Sequence, residues 1–110
     1  MKPIIVCLCG STKFKQAFID ANFRETMAGK IVLSVGLYSH ADAEVYTPTE
    51  AEKLALDELH FRKIDLADEV LILNVDGYTG YSTRREINYA MSQNKKIRYL
   101  YPEVVVHAYS

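Results

Sequence analysis

A chain of 110 residues, 49% of them hydrophobic, holds one compact domain and little more. Its 13 basic residues are scattered among 14 acidic ones, which argues against nucleic-acid binding through a broad electrostatic surface. The longest early apolar run, residues 4–9, is too short for a bilayer span or a signal-peptide core, so the expectation is a soluble cytoplasmic protein that does not engage a membrane.

In chain order, residues 3–9 read as a strand that leads through Gly10 into a helix over about 12–27. The apolar face of that helix is Phe14, Ala17, Phe18 and Ala21, and Gly29 ends it. Residues 30–36, with Ile31, Val32, Leu33 and Val35, make the second strand. The stretch 37–48 holds His40, Asp42, Glu44 and two tyrosines without a clear period, as a flap would. A long helix over about 49–66 carries Leu54, Leu56, Leu59 and Phe61, and a strand over 69–74 follows Asp68. A third helix runs from about 83 to 93 and a fourth strand from 96 to 101. Residues 103–107 read as a short fifth strand, an edge element or a subunit contact, and an apolar edge of Val104, Val105 and Val106 would suit pairing with another chain. This alternation predicts a single α/β domain over 1–110, with a four- to five-stranded, mainly parallel sheet covered by helices on both faces and joined by right-handed crossovers.

Two small-residue loops stand at strand-to-helix junctions. In an open parallel sheet ligands sit at the carboxyl ends of strands, so both loops can face one crevice. The first is Cys9-Gly10-Ser11-Thr12-Lys13-Phe14. Gly10 would let a ligand approach the backbone, Ser11 and Thr12 offer hydroxyls, and Lys13 offers a charge for a phosphate or is a solvated lysine. The spacing fits neither a Walker A loop nor a dinucleotide fingerprint, and the stretch also reads as a plain turn with a Ser/Thr cap. The second runs from Asp76 to Ala90. Here Ser82 or Thr83 is the expected N-cap, and Glu86, placed in the first turn, is either a capping acid or a functional carboxylate. One of Arg84 and Arg85 faces solvent while the other can reach a phosphate. Tyr38, Tyr46, Tyr78 and Tyr81 border the expected crevice, where a base could stack or where they simply pack.

Cys7 and Cys9 alternate with Val6 and Leu8 on the first strand and point to one face. Such neighbours make a poor disulfide, and they read as buried thiols of a reducing compartment. His40, His60 and His107 lack ligand spacing, so no metal site is expected.

The Gly10-Ser11-Thr12 loop, the run Ile64-Asp65-Leu66-Ala67-Asp68-Glu69-Val70 and the run Ser82-Thr83-Arg84-Arg85-Glu86-Ile87-Asn88-Tyr89-Ala90 resemble the nucleoside 2-deoxyribosyltransferase-like superfamily over most of the chain. That superfamily includes nucleoside 2-deoxyribosyltransferases and 2'-deoxynucleoside 5'-phosphate N-hydrolases. The resemblance implies a small flavodoxin-like or Rossmann-like three-layer sandwich. It also implies a nucleoside or nucleotide substrate, no cofactor, and a homodimer or higher homo-oligomer whose neighbour completes the crevice. Glu86 then falls on the family nucleophile, Gly10 and Ser11 on the loop near base and sugar, and Ser82 and Thr83 on the turn holding the 5' end. One position departs from the pattern: where relatives carry an Asp that binds the sugar or handles the base proton, this chain has His60. The candidate acids are Asp57, one helical turn earlier on the same face, and Asp65, more than one turn later.

Breaking an N-glycosidic bond puts positive charge on the sugar, so a carboxylate below the anomeric carbon can stabilise it or attack it. A second group must move the proton of the leaving base or of the acceptor, which makes His60 or Asp57 the candidate. The competing expectation is a non-catalytic nucleotide-binding or regulatory domain with the same crevice.

Overall fold

The structure, a computed structural model, describes residues 2–102. Four strands, β1 (Ile5–Cys9), β2 (Ile31–Leu33), β3 (Glu69–Ile72) and β4 (Lys96–Tyr99), form one all-parallel sheet in the order β2-β1-β3-β4. Between them run α1 (Lys15–Met27), α2 (Glu50–Leu66) and α3 (Tyr81–Ser92). This is the small flavodoxin/Rossmann-like sandwich. The expected fifth strand lies outside the described residues. No helix among the described residues is long and apolar enough to cross a membrane.

The layers follow from the two-residue period of β1. Val6 and Leu8 point to one face and pack with Phe18 and Ala21 of α1. Cys7 and Cys9 point to the other and pack with Ile64 of α2 and Ala90 of α3. All four of these strand residues are fully buried, as befits a central parallel strand covered on both sides. The chain steps from β1 outward to β2, then back across β1 to β3 and β4. Right-handed crossovers in opposite directions therefore put α1 on one face and the other two helices on the opposite one.

Helix ends show which local signals governed. Gly29, at φ +87°, closes α1 in a Schellman motif: its amide donates to the Thr26 carbonyl and the Lys30 amide to the Glu25 carbonyl. Thr49 caps α2 in a reciprocal box, the Glu52 amide donating to Thr49 Oγ1 at 3.1 Å and the Thr49 amide to Glu52 Oε1 at 2.9 Å. The first helix begins at Lys15, later than expected. The Phe14 amide instead closes a turn onto the Ser11 carbonyl, and no side chain caps the helix. The apolar face expected for α2 is also revised. Leu54 and Leu59 are exposed, while His60 and Ile64 are the buried residues. Only the C-terminal half of α2 lies on the sheet; residues of its first half wall the crevice described below.

The α1 face also carries an ionic cluster. Glu69, 4% exposed, accepts from Lys30 Nζ at 2.9 Å and from Arg98 Nε and Nη2 at 3.2 and 2.9 Å. Glu25 pairs with the same two cations. Burial pushes both carboxyls up, but hydrogen bonds and charge from Lys30 and Arg98 outweigh it and hold both below the ordinary glutamate value of 4.5. The resulting stabilisation is complete above 4.5 and is lost as pH falls through the lowered values. Glu69→Gln should therefore lower stability by about 1–3 kcal/mol at neutral pH, Lys30 and Arg98 keeping Glu25 as a partner. It should also flatten the acid limb of a urea-midpoint versus pH curve, and a limb as steep as wild type would contradict this account.

Candidate active site

A crevice of about 440 Å³ opens over the carboxyl ends of β1 and β3, where the chain's direction of winding reverses. Its volume suits a small organic ligand. The loop after β1, the stretch after β2, the first half of α2 and the segment Tyr78 to Thr83 wall it, and Glu86 and His60 lie at its floor. Both small-residue loops thus meet in one place.

In the first loop, Gly10, Ser11 and Thr12 all line the crevice. A Cβ on Gly10 would stand 3.0 Å from Leu73 Cβ and 3.2 Å from the Leu73 carbonyl oxygen, so the bare backbone also serves the close approach of the neighbouring chain segment. Ser11 Oγ accepts from the Lys13 amide at 3.4 Å. Thr12 Oγ1 lies 3.1 Å from His40 Nδ1 and accepts from the His40 amide at 3.2 Å. Together with an ion pair between Lys15 and Asp42 at 3.0 Å, this ties the stretch expected as a flap onto α1 and its leading loop. Lys13 is outside the lining, its ammonium 3.9 Å from the centre of the Tyr78 ring. The cations that do line the crevice are Lys53 and Lys63.

The second loop leaves β3 through Asn74, whose side chain pairs with the backbone of Tyr101 in both directions at 2.8 and 2.9 Å. Asp76 and Gly77 take left-handed conformations, at φ 54° and 78°. The helix then starts at Tyr81 with Gly80 as N-cap and no side-chain cap, two residues earlier than expected. That shift moves Ser82 and Thr83 inside the first turn and Glu86 into the second, so neither hydroxyl caps the helix and the capping-box reading of Glu86 is overturned. Ser82 and Thr83 face the crevice, Thr83 buried. Arg84 donates instead to the Thr79 carbonyl, and Arg85 lies over the rings of Phe61 and Tyr81, so neither lines the crevice. Of the four tyrosines expected at the border, Tyr78 and Tyr81 line it; Tyr38 and Tyr46 do not.

Glu86 has a side chain only 15% exposed, with Oε1 at 3.9 Å from His60 Nε2. Burial pushes its carboxyl up to about 7, against the pull of His60. His60 itself sits beneath the carboxylate, 7% exposed, with Nε2 at 3.7 Å from Cys7 Sγ and 3.4 Å from Cys9 Sγ. Burial would lower the imidazole's pKa, but the Cys7 contact and the Glu86 charge raise it. The Cys9 hydrogen bond lowers Cys7 to about 5 in spite of burial, with His60 assisting, while Cys9 is pushed up by Cys7 and by burial. Asp57 lines the crevice from α2 and pairs with Lys53 at 3.3 Å. His60 is thus directed at Glu86 and the thiols, and Asp57 is the second carboxylate facing the cavity. The convergence of Cys7, Cys9 and His60 escapes any spacing rule, because it joins residues more than fifty positions apart.

No protein-family model matches this chain, and no curated protein matches it significantly.

The tight approach at Gly10 has a measurable consequence. Gly10→Ala should cost about 1–3 kcal/mol, since the nearest atoms include strand-end backbone that cannot swing aside. An unchanged urea midpoint would refute that reading.

Proposed function

We propose that this chain cleaves or transfers the N-glycosidic bond of a nucleoside or nucleoside 5'-monophosphate, with Glu86 as the nucleophile. The observation that carries the reading is a poorly solvated carboxylate at the floor of the crevice, where both small-residue loops meet. A carboxylate in such surroundings responds strongly to positive charge developing on a sugar above it. An oxygen of Glu86 bonds to the anomeric carbon as the carbon–nitrogen bond breaks, its electron pair passing to the base. Water or a second base then displaces the glutamate. Asp57, which faces the same cavity, handles the proton of the leaving base and later of the acceptor. His60, packed beneath Glu86, is a positioning residue. The uncapped start of α3 and Lys53 favour an anionic 5' group. The free buried thiols Cys7 and Cys9 accord with a reducing cytoplasm.

Chromatography of a panel of nucleosides and 5'-monophosphates should detect released base. Glu86→Gln should keep the circular dichroism of the wild type and lose about 10²–10⁴-fold in turnover, with Asp57→Asn also impaired. Base release unchanged in Glu86→Gln would remove the nucleophile assignment. Ligand binding with no release from any substrate would leave the non-catalytic nucleotide-binding domain instead.

The reading includes a homo-oligomer, most simply a two-fold dimer. Leu59 and Tyr81, on the crevice wall, are 52% and 71% exposed and suit cover by a second copy. Light scattering at micromolar concentration should report at least a dimer, and a strict monomer with full activity would contradict it.

A further inference from the structure

The floor beneath the crevice holds more donor atoms than one imidazole nitrogen can use. A neutral ring nitrogen serves one hydrogen bond, through its proton or its lone pair. Yet Cys7 Sγ, Cys9 Sγ and Glu86 Oε1 approach the same His60 Nε2 at 3.7, 3.4 and 3.9 Å. We propose that Cys7, Cys9 and His60 bind one zinc-class divalent ion there, with the fourth position left to a solvent molecule from the crevice that His60 lines.

Distances, scaffold and donor chemistry carry this assignment. A tetrahedral zinc site has sulfur-to-nitrogen edges of about 3.5–3.6 Å, from metal–sulfur bonds of about 2.3 Å and metal–nitrogen bonds of about 2.0–2.1 Å. The two observed edges bracket that value, and the three donor atoms lie within 4.8 Å of one another. Cys7 and Cys9 are two apart on the central strand and so share a face, while His60 comes from α2, packed on that face. All three side chains are buried, which limits competition from bulk water for their donor atoms. Two sulfurs and an imidazole select a borderline-soft ion over magnesium or calcium. Two thiolates around a divalent ion leave no net charge, so the site adds no uncompensated charge to the interior.

The inference does not rest on the glycosidic reading, because occupancy is measured without substrate. A chain that binds the ion and releases no base, or the reverse, separates the two.

The test is to titrate the reduced, chelator-stripped full chain with cobalt(II), then with zinc(II). One equivalent should give thiolate-to-cobalt charge transfer in the near ultraviolet and the intense visible bands of tetrahedral cobalt, both abolished by zinc. Cys7→Ser and Cys9→Ser should each weaken binding by at least the roughly 100-fold that loss of an outer-shell partner can cost. Weak octahedral cobalt spectra, or serine variants that bind like wild type, would overturn the site. Should the variants not fold, zinc-edge X-ray absorption of the wild type decides: two sulfur neighbours support the assignment and a shell of nitrogen and oxygen alone refutes it.

Discussion

Everything in this molecule is organised around the buried strand Ile5–Cys9, because it is paired on both edges and covered on both faces. A strand so placed has no freedom of register: a slip by one residue would exchange the thiols with Val6 and Leu8 and turn each set to the wrong layer. The same constraint fixes where the chain can bind anything. With both faces and both edges occupied, only its ends are left, and at the carboxyl end the reversal of winding leaves a gap that no helix fills.

Polar groups are distributed accordingly. On the α1 face, the carboxylates of Glu25 and Glu69 are matched by Lys30 and Arg98, with Lys96 4.0 Å from Glu69, and their charge is settled. Beneath the crevice the matching is different. A carboxylate, an imidazole and two thiols share a small volume, with no arginine and with Lys63 acting only through its field. One region thus uses charge to hold strands and helix together. The other keeps polar atoms concentrated where packing alone would have favoured aliphatic side chains, at a cost in desolvation that the fold tolerates.

The sequence was legible where the signal was local. Gly29 and Thr49 act through atoms within a few residues of themselves, and the order of strands and helices followed from apolar runs separated by turns. The start of α3 was misread because two consecutive hydroxyl residues look like caps, whereas Gly80 before them adopts the extended conformation that ends the loop earlier. The phase of α2 was misread for a tertiary reason. Leucines suggest a core face, but half the helix projects beyond the sheet, so its leucines border the cavity or solvent. The contacts of His60 with the thiols were beyond reach for the same reason: the rotation of one helix about its axis, set by packing, decides what lies beneath it.

The grip of Arg98 on Glu69, through Nε and Nη2 on one carboxylate oxygen, also joins distant parts of the chain. Glu69 opens the central strand β3, Arg98 belongs to β4 at one edge of the sheet, and Lys30 immediately precedes β2 at the other. One carboxylate thus fastens both outer strands to the middle of the sheet at the end opposite the crevice. The sheet is laced by charge at one end and left unlaced at the other.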